Sequence, residues 1–490
     1  MRVGIGHNDN PAPGQNSTSL HYPIIPDDQY LSWQHTRHNQ KDWAELFFSY
    51  GNSWAKGTVA LQGFNFTDAA WVDSPAQFGI SQGYLTLTPD LGYENVRLIA
   101  KVGSFWNKYG TAGRYDAGEY DTYVFGRTHA MGETVRAEID IGDVTLGGEQ
   151  GVGAKRPDPS TYNQARFTML HHEHADLTYD KWLTVGAHYL YSWTGEEDRS
   201  GLQLGDVGLP NGSMGVYGGD LRLDANAFGY LYLGYSHISA KDSLTVAPAI
   251  EVLHAYGGGE FSLGLTNNYA ARGTSGTYLD SPGCTPVVPG TPPAANRCSG
   301  GNGSVDTLLA QYEFSLANFI TNTNDASARF WGEGPDLKII IYGMYNKVSS
   351  LDPAMDGVSK LKYGTDVAWS ALSWLGVALR ADRVQPNSNI PEQSFAILSP
   401  RLFFRTKWVT HEEIQLQYSR YMYNQRTCAT GNPANEVYEA GQEFCTQPAN
   451  APVLPDGFGA TPAIYNANSR GAPTTTPDVN VVKIQASMWW

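Results

Sequence analysis

Apolar and polar residues alternate with a period of two along most of this chain. In Asn480–Trp490, Val482, Ile484, Ala486, Met488 and Trp490 share one face, while Lys483, Gln485 and Ser487 share the other. Glu413–Tyr423 repeats the pattern, with Ile414, Leu416, Tyr418 and Met422 against Gln415, Gln417, Ser419 and Tyr421. Leu375, Val377 and Leu379 oppose Arg380 and Asp382; Pro400, Leu402 and Phe404 oppose Ser399, Arg401 and Arg405. Arg420 falls on the apolar face, which points to a bulge or to headgroup level at that position. Alternation of this kind marks β-strands with one dry face. Helix-period segments are almost absent. No apolar run reaches about 18 residues, which excludes a helical membrane bundle.

Connections alternate in length. Tight turns fall at Ile141–Asp143, near Asp180–Lys181, at Asp224–Ala225, Ser370–Ser373 and Lys407–His411. Long polar loops span Asn107–Met131, Thr194–Ser213, Ser239–Ser304 and Asn424–Val479. Short turns at one end and long loops at the other are the mark of an all-β, transmembrane antiparallel β-barrel. The parity predicts about 18 strands in one domain covering residues 1–490, with sixteen as the alternative count. They begin near residues 2, 42, 54, 78, 95, 132, 144, 164, 182, 215, 228, 305, 337, 359, 375, 393, 412 and 480. Trp54, Trp182, Trp369, Trp374, Trp408, Trp489 and Trp490 crowd strand ends, as interfacial aromatic girdles do.

Composition narrows the function. Lys and Arg number 33 against 48 Asp and Glu, a net charge of −15, and only 17% of residues are charged. That balance argues against nucleic acid as a partner. The opening MRVGIGHNDNPAPGQNSTSL has no basic start, apolar core or small-residue cleavage site. The protein is therefore either cytosolic or already without its signal peptide. Cys284 and Cys298, like Cys428 and Cys445, form local pairs within Pro/Gly/Asn-rich stretches. Two loop-closing disulfides in an oxidising compartment fit that spacing, with zinc as the rival reading.

The whole chain resembles the Gram-negative outer-membrane porins. The alternating, aromatic-ended last strand VVKIQASMWW and the turn parity carry the likeness. RVGIG and WAELFF are similar to segments of the eighteen-stranded, sugar-specific (maltoporin-like) porins. The resemblance implies an outer-membrane location, contact with lipid and lipopolysaccharide, and a homotrimer. It further implies a passive water-filled channel for small hydrophilic solutes, sugars included, with no cofactor and no enzymatic activity. Alternatives are a barrel enzyme of lipase or protease type and a soluble secreted carbohydrate-active β-protein. A gated transporter for hydrophobic molecules would need an apolar inner pocket and a lateral opening, and the inward faces read too polar for it.

The third long loop of such a barrel commonly narrows the channel. Here that loop, 107–131, carries Arg114, Asp116, Glu119, Asp121 and Arg127 as constriction residues. Alternation aims Arg136, Arg222, Lys338, Lys362, Arg380, Arg401, Arg405 and Lys483 at the lumen from the wall. Loop acids facing wall cations would set up a transverse field that sorts solutes by charge. Inward Tyr230, Tyr232, Tyr342, Tyr421 and Tyr423 suit sugar rings or the packing of a loop. His172 and His174 share a strand face beside His171 and Glu173, and read as solvated residues near the periplasmic end because a third metal ligand is missing. GxSxG, HExxH and P-loop patterns are absent, so no catalytic or metal residue is assigned.

Overall fold

The computed structural model describes residues 2–8, 30, 43–64, 77–108, 127–155, 168–194, 212–241, 303–322, 335–349, 357, 359–385, 388, 394–423 and 479–489. The first nine strands are β1 Arg2–Asn8, β2 Trp43–Gly51, β3 Ala55–Phe64, β4 Gln77–Leu87, β5 Val96–Lys108, β6 Arg127–Ile141, β7 Val144–Lys155, β8 Thr168–Tyr179 and β9 Leu183–Thr194. The other nine are β10 Ser213–Asp224, β11 Tyr230–Lys241, β12 Gly303–Ser315, β13 Asp336–Ser349, β14 Ser359–Ser370, β15 Leu375–Gln385, β16 Phe395–Thr406, β17 His411–Tyr423 and β18 Val479–Trp489. Successive strands pair antiparallel, and β1 pairs with both β18 and β2, so the order returns on itself. Among the described residues the protein is an antiparallel β-barrel of 18 strands. The return is uneven: β1 runs along β18 from Arg2↔Ser487 to Asn8↔Val481, yet meets β2 only at Arg2↔Trp43.

Short connections are built by local chemistry. Asp180 and Lys181 both adopt left-handed backbone, with φ of 42° and 63°, and so reverse the chain with the hand of twist that the β8–β9 hairpin needs. Between β16 and β17, the Glu412 carboxylate accepts the backbone N–H groups of Trp408, Val409 and Thr410 at 3.0, 3.1 and 2.8 Å. The β12–β13 connection holds a short helix, α1 (Leu316–Thr321), that sequence periodicity did not reveal. Ser315 caps it by accepting the N–H of Asn318, and Phe319 packs edge-on against Phe228 of the β10–β11 turn at 5.6 Å.

Alternation holds through the wall. On β15, Val377 and Leu379 face outward and are exposed, whereas Ala378, Arg380 and Asp382 face inward and are buried. The outer surface is an apolar band that includes Val185, Leu233, Ile341, Leu398, Leu416 and Ile484. Exposed Trp54, Trp182, Trp369 and Trp374 mark its short-turn rim, and Tyr191, Tyr217, Tyr363 and Tyr418 its long-loop rim. Aromatic rims around an apolar band match a slab of hydrocarbon between two polar interfaces. Arg420 is exposed on the outer face, in register with Asn480 and Leu398, so its strand is not bulged there.

Loop boundaries contract relative to expectation. The β5–β6 ladder continues through Trp106↔His129 to Lys108↔Arg127, because pairing persists beyond the point where side-chain alternation fades. Arg127 is therefore the first residue of β6 and not a loop residue. Arg114, Asp116, Glu119 and Asp121 lie outside the described residues, as do Cys284, Cys298, Cys428 and Cys445.

Candidate functional site: the inner wall

Two polar clusters and an apolar belt line the barrel interior. The first cluster spans β13–β16. Arg380 is almost wholly buried; its Nε donates to Asp382 Oδ2 at 2.9 Å and to the Tyr342 hydroxyl at 3.1 Å. Tyr342 in turn donates to Asp382. Arg401 on β16 pairs with Asp366 on β14, and Lys362 Nζ stands 5.7 Å from the centre of the Tyr342 ring. Charges this far from water persist only when partnered, and here each guanidinium has a carboxylate on the wall itself.

Tyr30 completes this cluster. It belongs to the β1–β2 connection, yet it is 2% exposed inside the barrel. Its hydroxyl donates to Asp366 Oδ2 at 2.7 Å, its ring lies 4.8 Å from that of Tyr342, and the Arg380 guanidinium sits 4.8 Å from its centre. An aromatic face against a guanidinium gains cation–π attraction as well as buried area.

The second cluster spans β6–β9. Arg136 forks onto Asp176 at 2.8 and 3.0 Å and donates to Glu138 at 2.8 Å. His172 Nε2 lies 2.9 Å from Glu149 Oε1. His174 and His188 face inward directly opposite each other on β8 and β9. Glycines make the room: a Cβ at Gly151 would lie 2.1 Å from His172 Cε1, and one at Gly147 would lie 2.3 Å from Arg136 Nη2. The expectation of solvated histidines is thus corrected. His172 is fully buried, because its ring lies flat over a residue with no side chain. Among the described residues, no group of three or more His, Cys, Asp or Glu side chains is arranged to hold a metal ion.

Near the long-loop end the inner face turns apolar. Leu190↔Val216, Val216↔Ile238, Ile238↔Val305 and Val305↔Val348 are consecutive cross-strand pairs, and all five side chains are buried inward. The inward faces, read as too polar for a hydrophobic-molecule transporter, thus carry an apolar belt near the long-loop end. Its residues sit in strands with aliphatics on both faces, where alternation alone does not tell in from out.

Arg136, Arg222, Lys338, Lys362, Arg380, Arg401, Arg405 and Lys483 lie on the inward register of their strands. Their partners were not foreseen. Arg405 pairs with Glu413 on the next strand at 2.9 Å, and Arg222 lies 5.7 Å from the Tyr230 ring. These acids occupy inward positions two residues along the same strand or on nearby strands, a spacing that sequence shows only once the strand register is fixed.

No protein-family model and no curated protein matches this sequence. Among solved structures, the chain is similar to Wzi, an outer-membrane carbohydrate-binding β-barrel involved in group 1 capsule assembly in Escherichia coli. The identity is 10% and the TM-score 0.38, over 100% of this chain and 84% of that one. It is also similar to OccK10 (OpdN) of Pseudomonas aeruginosa, at 8% identity and a TM-score of 0.36 over 91% and 92% of the two chains. An anion-selective porin from Comamonas acidovorans matches at 10% identity and 0.32, over 91% and 99%. Likeness at this level carries no inference about activity.

Proposed function

We propose that this barrel lies in the outer membrane of a Gram-negative bacterium and passes small hydrophilic solutes, neutral sugars foremost, down their gradient. The observation that carries the reading is the β13–β16 wall with Tyr30 against it. A barrel satisfies its backbone internally, its outer band suits hydrocarbon, and its inner wall is rich in donors and acceptors. Because Arg380 pairs with Asp382 and Arg401 with Asp366, the wall offers hydrogen bonds with little net field. Such a surface selects by hydroxyl pattern more than by charge, and the Tyr30 and Tyr342 rings match the apolar faces of sugars. The narrowing side chain in this reading is Tyr30. No step requires a cofactor, and the barrel performs no covalent chemistry.

The test is single-channel conductance of the refolded chain in planar bilayers, titrated with neutral sugars. Current steps blocked by one sugar class in a saturable manner support the reading. A folded barrel whose current responds only to ion charge, and to no sugar, overturns the sugar assignment; absence of any current overturns the channel.

A further inference from the structure

The short helix α1 presents an apolar face outside the barrel wall. Its sequence, LANFIT, carries no charge. Leu316, Phe319 and Ile320 stand three and four residues apart, so they share one side of the helix. All three are exposed, Ile320 by 73%.

Contacts of Phe319 show on which side of the wall that face lies. Its ring is 5.9 Å from that of Phe314, which shares the outward register of β12 with Leu308. It also meets exposed Phe228 of the β10–β11 turn, whose carbonyl accepts the hydroxyl of outward Tyr312. Phe319 therefore carries the outer apolar band past Ser315↔Lys338, the last rung of β12. At the next short connection, between β14 and β15, Trp369, Leu372 and Trp374 are exposed as well. The β6–β7 and β8–β9 turns instead carry Asp143, Asp180 and Lys181.

The ends of α1 are closed by the protein itself. Asp336 accepts the Ala317 N–H at 2.8 Å, and the Ser315 hydroxyl that accepts the Asn318 N–H donates to the same carboxylate at 2.8 Å. At the other end Asn322, with φ of 52°, returns its N–H to the Asn318 carbonyl, and the Thr321 hydroxyl donates to the Ala317 carbonyl at 2.8 Å. A helix whose terminal groups are partnered in this way loses little on leaving water.

We propose that α1 is an interfacial anchor, with Leu316, Phe319 and Ile320 dipped into the phospholipid leaflet at the short-turn end of the barrel. Such a face rests at the boundary of headgroups and acyl chains. The occupant is a zwitterionic lipid surface, because the helix has no charge to pair with a partner and its apolar face merges with the lipid-facing band. The anchor rests on the membrane location of the barrel and is independent of conduction.

The test uses the full chain with p-benzoylphenylalanine at one position, refolded into phosphatidylcholine vesicles and irradiated, with adducts read by mass spectrometry. Ile320→p-benzoylphenylalanine should give lipid adducts, as should Ile341→p-benzoylphenylalanine in the outer band. Asp143→p-benzoylphenylalanine, on the exposed β6–β7 turn, should give none. Adducts at Ile341 but not at Ile320 overturn the anchor and leave the membrane location standing. Crosslinks from Ile320 to a second copy of the chain in place of lipid overturn it in favour of an oligomer contact. Equal lipid labelling at Asp143 and Ile320 also overturns it, since α1 would then be no nearer to lipid than a polar turn. Absence of adducts at both Ile341 and Ile320 overturns the membrane location itself.

Discussion

The hydroxyl of Tyr30 lies 2.7 Å from a carboxylate oxygen of Asp366, across 336 residues of sequence. That bond fastens Tyr30, from the β1–β2 connection, to β14, and Asp366 also holds Arg401. The contact thus sets an aromatic ring against the inner wall and takes part in the charge balance there.

Tyr30→Ala should enlarge the open current, and Tyr30→Phe should lengthen openings with a smaller change in amplitude. The phenylalanine keeps the ring against Arg380 and loses only the hydroxyl bond, which shifts a closed–open balance by about tenfold. Dwell-time analysis in planar bilayers separates the two effects. Currents identical to the parent in both variants would show that Tyr30 does not narrow the path.

Arg401→Met strands the buried Asp366 carboxylate with Tyr30 alone. Breaking a buried pair on one side costs roughly 3–5 kcal/mol. The double change Asp366→Leu with Arg401→Met should recover most of it, since both charges then vanish. The temperature at which the folded band is lost on an unheated-to-heated gel series reads this directly; a double variant no better than the single one contradicts the account.

Gly151→Ala places a methyl where the His172 ring lies, at 2.1 Å from Cε1. The expected result is a lower refolding yield, restored by adding His172→Ala. Rescue by the second change is the diagnostic outcome, because a strand-propensity effect of alanine would persist without the imidazole.

Val216→Asp introduces a carboxylate into the inward apolar belt between Leu190 and Ile238. Burying an unpaired charge there costs several kcal/mol, so the belt should loosen, with a lowered unfolding midpoint in urea. Val216→Ile, which keeps the surface apolar, should change the midpoint by less than about 1.5 kcal/mol. Equal effects of the two would mean that the belt packs against nothing.

Strand positions were readable because alternation and turn residues act locally. Val144, Ser359 and Leu375 begin strands where the pattern starts, and the inward bearing of Arg136, Arg380 and Arg401 follows from parity alone. β6 begins at Arg127, earlier than its pattern suggests, because hydrogen bonding to β5 extends past the alternating segment. Tyr30 gave no signal. It lies in a stretch without periodicity, and its importance comes from Asp366, Tyr342 and Arg380 on distant strands. The Arg136–Asp176 pair was hidden for a related reason: β6 and β8 become neighbours across β7 only when Gly147 leaves space between them.

The closing seam sets a timetable for assembly. β1 has seven rungs with β18 and one with β2, so it finds most of its pairing only in a strand more than 470 residues later. A loop of nearly the whole chain must be closed before those rungs form, and such long-range pairing is slow. Until then the chain carries the edge of β18 at one end and the edge of β2 at the other, each able to pair with a foreign strand. Barrel completion therefore waits on β18, and a holding partner that shields the β18 edge would protect an interval in which this chain is open to aggregation.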